Sequence, residues 1–188
     1  MNKFKLVLIS SLLALSAFNV QALPITGTLD MFGGATVLDA SGAQTNDASA
    51  AVAVDFTSNN FFRVTAGDGD FAGLAGSLGT IKDFTFDPFA GSIADFWQVG
   101  AFSFELTDVI RGTSNDPSNF LVLNGTGIIS ATAGLGLDAT SATWSFSGNS
   151  TGNGLFTWSA ASANVPEPGV LALLSLGLIV IGLRKRFA

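Results

Sequence analysis

Cysteine, histidine and tyrosine are all missing from this 188-residue chain. Without cysteine there are no disulfides. Without cysteine and histidine there is no zinc site of the usual thiolate or imidazole kind. Nucleophilic catalysis by Cys–His or Ser–His–Asp groups is excluded too, because each needs an imidazole base. Charge is sparse: 12% of residues are charged, with 8 Lys and Arg against 14 Asp and Glu. At 48% apolar residues the chain is too apolar for a disordered one and low in charge for a cytosolic one. Long apolar runs lie only at its two ends, and no amphipathic helix of useful length lies between them.

Residues 1–22 have the layout of a secretory signal peptide. Lys3 and Lys5 form a positive start, Leu6 to Phe18 is apolar or small, and Val20-Gln21-Ala22 offers small residues where a signal peptidase reads. Cleavage is expected after Ala22. At the other end, Val165-Pro166-Glu167-Pro168-Gly169 precedes the uncharged run Val170 to Leu183, and Arg184, Lys185 and Arg186 follow. As a helix this run is about 21 Å long against a hydrocarbon core of ~30 Å. Snorkelling basic side chains close much of that gap. The basic tip is expected to stay in the cytoplasm. The predicted topology is an exported domain outside, one membrane span and a basic tip inside.

The order of signal peptide, domain, Pro-Glu-Pro, apolar helix and basic tip resembles the PEP-CTERM proteins of Gram-negative bacteria. The resemblance rests on Val165 to Gly169, Val170 to Leu183 and Arg184 to Arg186. It implies a sorting signal read by a membrane transpeptidase, exosortase. It further implies cleavage near the motif, loss of the helix, and passage from an inner-membrane precursor to the cell surface or the exopolysaccharide matrix. The prolines fit such a role, because two of them flanking Glu167 keep the backbone extended outside the span.

Residues 23–163 form the domain between these signals. Through residue 165, Arg63, Lys82 and Arg111 face thirteen carboxylates, an excess of ten negative charges. That balance argues against nucleic acid, whose binding rests on Lys and Arg at phosphates, and permits calcium. The hydrophobic period is two. Ala51 to Thr57, Thr80 to Phe86, Val99 to Leu106, Phe120 to Leu123, Gly127 to Ser130, Thr143 to Ser147 and Leu155 to Ser159 read as strands separated by Gly-, Asn- and Asp-rich turns. Ile81 is out of phase with Phe84 and Phe86, which suggests a bulge near Lys82. The expected fold is all-β, an antiparallel sandwich or jelly roll flanked by the signal-peptide and transmembrane helices. Residues Gly125 to Ala163 and Gly79 to Phe86 also resemble uncharacterised PEP-CTERM passenger domains, for which no activity is implied.

Candidate sites in the domain are few. Asp68 and Asp70 offer hard oxygen ligands for calcium on a Gly-rich loop, or simply make a turn. Trp144 and Trp158 alternate in phase with Phe146 and Phe156, as a cross-strand aromatic core would. Trp97 follows Phe96, and adjacent strand residues face opposite sides, so Trp97 is the candidate sugar contact. Glu105 and Asp108 are the pair a glycoside hydrolase would need, although Glu105 is out of phase with Phe102 and Phe104. The preferred expectation is a non-enzymatic surface or matrix protein without a cofactor. A carbohydrate-binding module, with or without calcium, is second and a carboxylate-dependent glycan hydrolase third.

Overall fold

A computed structural model describes residues 23–150 and the backbone of 154–162. The predicted signal peptide and sorting tail lie outside the described residues. Twelve strands follow one another: β1 (Leu23–Pro24), β2 (Thr28–Leu38), β3 (Ala53–Phe56), β4 (Phe61–Gly67), β5 (Leu78–Ile81), β6 (Phe84–Thr85), β7 (Ile93–Val99), β8 (Phe102–Arg111), β9 (Phe120–Ala131), β10 (Leu137–Asp138), β11 (Thr140–Asn149) and β12 (Gly154–Ser162). Among the described residues, helix is confined to one turn, α1 (Thr57–Asn60), and two 3-10 turns, Ala48–Ala50 and Gly69–Phe71. None of these is long and apolar enough to cross a membrane.

Ten of the strands form one antiparallel sheet, and it closes on itself. The order β12-β11-β9-β8-β7-β5-β4-β2 returns to its start because β12 also pairs with β2, from Gly154↔Ala35 to Ala161↔Thr28. β1 and β10 form a separate two-stranded parallel pair, and the other two strands of the large sheet extend existing staves. β3 pairs with the far half of β2, in line with β4 and separated from it by α1. β6 pairs with β3, in line with β5. The domain is thus an eight-stave barrel in which each stave is followed by its neighbour. The all-β, antiparallel expectation holds, but the sandwich or jelly roll is corrected to a closed meander. A period of two reports that one face of a strand is buried and says nothing about which strand lies beside it. Closure leaves no long unpaired edge exposed.

An eight-stranded barrel has an interior just wide enough for side chains to fill. Here aromatic rings fill much of it. In β11 burial alternates strictly, with Ala142, Trp144 and Phe146 inward. In β8, Phe102, Phe104 and Leu106 point inward while Ser103 and Glu105 stay half-exposed. Phe56, Phe84, Phe96 and Phe146 make a linked set of edge and stacked contacts. The expected irregularity near Lys82 is the break between β5 and β6, which lets Ile81, Phe84 and Phe86 all face inward.

Three glycines make room for these rings. A Cβ on Gly79 would overlap the Phe62 ring, one on Gly125 the Trp144 indole, and one on Gly127 the Phe104 ring. Gly79 and Gly125 are the direct cross-strand partners of Phe62 and Trp144. Each ring thus covers a bare stretch of neighbouring backbone and shields it from water, as aromatic rings do over strand glycines.

Candidate functional site

A cleft of about 560 Å³ opens on the outside of the barrel. Its size lies within the few-hundred to one-thousand Å³ range of small-molecule sites. The β3–β6 pair forms its floor through Ala53, Asp55 and Thr85, and the loop after β6 brings Pro88, Phe89 and Ala90 over it. Ile93, at the start of β7, completes the wall. Phe89 and Ile93 pack partly against the core, so the loop has an apolar footing.

Two carboxylates face this cleft. Asp83 sits at the break between β5 and β6, where its Oδ1 accepts hydrogen bonds from the Phe56 N–H (2.8 Å) and from Asn60 Nδ2 (2.9 Å). It therefore ties α1 and the end of β3 to the broken stave. Asp55, on the outward face of β3, is half-buried. Burial, reinforced by the negative charge of Asp83, pushes the Asp55 carboxyl above its ordinary value. Chemically, the cleft presents hydrogen-bond acceptors beside the apolar surfaces of Phe89, Pro88 and Ile93. Sequence reasoning missed it. Asp55 and Asp83 are separated by two helical turns and two strands, and only the pairing of β3 with β6 brings them to one place. The one available signal was the bulge at Lys82-Asp83.

The residues singled out by sequence lie elsewhere. Trp97 is completely buried and stacks on Phe104 with ring centres 5.5 Å apart. The assignment of Trp97 as a surface sugar contact is therefore corrected. A bulge between Ile93 and Trp97, with Asp95 at φ +48°, breaks the alternation and turns both Phe96 and Trp97 inward. Trp144 is in the core, as its phase predicted. The Trp158 backbone lies opposite Phe146, and its side chain is outside the described residues.

Asp68 and Asp70 act on the domain's own backbone. Asp68 Oδ1 accepts from the Thr28 N–H, and Asp70 Oδ2 accepts from the Thr26 N–H (2.7 Å) and the Thr26 hydroxyl. This clamp holds the segment that leads from β1 into β2. Among the described residues no three carboxylates gather as a metal-binding group. Glu105 stands opposite Ile128, and Asp108 is exposed beyond the bulge between Leu106 and Asp108. Arg111 is more than a surface charge. It donates to the Ala48 and Ala51 carbonyls at 2.8 and 2.5 Å and lies 5.1 Å from the Phe86 ring centre, fastening the Ala48–Ala50 turn to β8.

Leu23, the residue after the predicted signal-peptidase site at Ala22, already belongs to the folded domain, where β1 pairs in parallel with β10. Its N–H donates to the Gly136 carbonyl at 3.0 Å, and Ile25 behind it is fully buried. At the other end β12 finishes at Ser162, and the Pro-Glu-Pro segment, Val165 to Gly169, begins three residues on. That segment, the apolar run and Arg184, Lys185 and Arg186 lie outside the described residues. No curated protein and no solved structure matches the chain. Residues 164–186, however, match the PEP-CTERM protein-sorting motif. The chain thus carries a PEP-CTERM protein-sorting motif, which supports exosortase-dependent sorting of an exported precursor, behind a β-rich domain.

Proposed function

We propose that the barrel is a non-enzymatic domain carried to the cell surface or the extracellular matrix by its C-terminal sorting signal. The match of residues 164–186 to the sorting motif carries this reading. The signal-peptide layout before Leu23 is in keeping with it, as is the absence of any Cys, His or Tyr side chain from the chain. The partners are signal peptidase, exosortase and, before processing, the inner membrane. The test is the intact mass and C-terminus of the protein from its native host. The expected product ends near Pro166 to Gly169 and reaches the surface only in cells that hold exosortase. Equal surface display in an exosortase-deficient strain would refute the proposal.

The cleft favours a second reading, a saccharide-binding module. Sugar hydroxyls donate to carboxylates and the apolar faces of pyranose rings pack on apolar side chains, and Asp55, Asp83, Thr85 and Phe89 supply both kinds of contact. Neither Trp97 nor the Asp68–Asp70 loop is needed. Titration with the host polysaccharide, with and without chelator, tests it. Binding is expected to fall in Phe89→Ala and Asp55→Asn, and no binding by the parent would remove the reading.

A further inference from the structure

The point at which the chain leaves the barrel determines which end of it can meet a membrane. Ser162 pairs with Ala142, and Ala161 pairs with Thr28. The exit therefore lies at the end formed by the segment 23–28, the β4–β5 loop, the Gly100–Ala101 hairpin turn and the 132–139 connection. From Ser162 to Val170, where the apolar run begins, is eight residue steps. Even fully extended these span at most about 28 Å. A ten-residue stave such as β11 spans nine steps of about 3.4 Å and tilts about 35–45° to the barrel axis, so it projects about 22–25 Å along that axis. The loops at each end add to this length. An inverted barrel would draw this tether out to nearly its full extension before the loops are counted.

The exit end also exposes apolar side chains. Leu23 and Leu135, at the exit end, are 59% and 52% exposed, and Leu78, where β5 begins, is 61% exposed. Asp68 and Asp70, also at this end, are turned onto the backbone of Thr26 and Thr28. The loops of the opposite end carry Asp39, Asp47, Asp87 and Asp116. Ile110 and Phe120 are exposed toward that end too, so apolar exposure alone does not choose between the ends; the short tether favours the exit end.

We propose that in the unprocessed precursor the exit end of the barrel rests on the lipid bilayer, with Leu23, Leu78 and Leu135 in the interfacial layer. This rests on the sorting reading, in which Val170 to Leu183 is the membrane segment. Leucines on such a surface gain from burial at the headgroup boundary, against the exposed Asp138 and the clamped Asp68 and Asp70 at the same end. Cleavage of the tail would release the barrel, because the surface is bound through its tether.

The chain has no cysteine, so single labels are unambiguous. Full-length Ala133→Cys (exit end), Ser41→Cys (opposite end) and Ser145→Cys (barrel flank) would each carry an environment-sensitive NBD label and be reconstituted in phosphatidylethanolamine–phosphatidylglycerol vesicles. The proposal expects severalfold brighter, blue-shifted emission at Ala133→Cys than at the other two, and loss of that difference when Leu135→Asp is added. Equal, water-like emission at all three positions would overturn it, as would the strongest signal at the flank or the opposite end. A chain that fails to float with vesicles would overturn it as well, through the anchor. The docking reading is judged before any cleavage. Failure there leaves sorting intact, whereas an uncleaved C-terminus in the native host counts against sorting alone.

Discussion

Gly127→Ala puts one methyl group where the barrel has no room for it. On one side stands the Phe104 ring, on the other the Glu105 carbonyl oxygen, and a Cβ would overlap both. Neither yields easily. The carbonyl is part of the β8 backbone, which is paired with β9 on one side and β7 on the other. The Phe104 ring is covered by the Trp97 indole, nearly parallel at 10°. Overpacking of this kind costs about 1–3 kcal/mol, and with a backbone atom on one side the upper half of that range applies. Alanine recovers about 0.5–1 kcal/mol over glycine in a strand. The net loss is then about 2 kcal/mol, or a fall of roughly 8 °C in Tm at ~4 °C per kcal/mol for a domain of this size. Thermal unfolding followed by near-ultraviolet circular dichroism of the buried tryptophans measures it. Gly73→Ala is the control, since nothing lies within 4 Å of a Cβ there, and its Tm should stay within about 2 °C of the parent. Adding Phe104→Leu to Gly127→Ala should recover about 1 kcal/mol relative to additivity, because the two sites share one volume. A Gly127→Ala protein as stable as the Gly73→Ala control would refute the argument that the ring needs the glycine.

Three further outcomes follow from the described contacts. Arg111→Ala and Arg111→Lys should each lose about 1.5–2 kcal/mol, because a fork that reaches both the Ala48 and Ala51 carbonyls over Phe86 cannot be copied by an ammonium; denaturant midpoints check this, and an unchanged Arg111→Lys would contradict it. Asp55→Asn should raise Tm at pH 7, since a carboxyl whose folded pKa is raised contributes stability below its unfolded pKa and loses it as pH rises through the folded one. The gain should shrink as pH falls into the carboxylate range, and a gain independent of pH would point to packing instead. Asp68→Ala should lower Tm by the same amount with and without chelator, because its carboxylate serves the Thr28 N–H; a loss seen only with calcium present would make the loop a metal site.

Much of the sheet was legible because strand phase is local. The alternation of Trp144 with Phe146, or of Phe102 with Phe104, states which face is buried. What could not be read was anything that depends on the neighbours of a strand. The pairing of Ala35 with Gly154 joins residues more than a hundred positions apart, and no local pattern announces it. The inward turn of Trp97 needs a bulge at Asp95, an ordinary acidic residue with no glycine to mark a positive φ. The Asp55–Asp83 cleft exists only because β6 lies beside β3. The sorting motif, by contrast, is legible residue by residue, because its residues are contiguous in the sequence.

The stave that completes the ring is also the last to be made. β2 waits for β12 across about 120 residues of chain, roughly 6–25 s of synthesis at 5–20 residues per second. Until then β2 and β11 each offer an unsatisfied row of backbone groups, the kind that captures other chains. Ring closure is therefore a late, non-local step, slow by its contact order. It can occur only when the residues beside the sorting signal have themselves crossed. Arrival of the signal and completion of the cargo then become nearly the same event in time, so the tail that addresses the domain for delivery also marks it as finished.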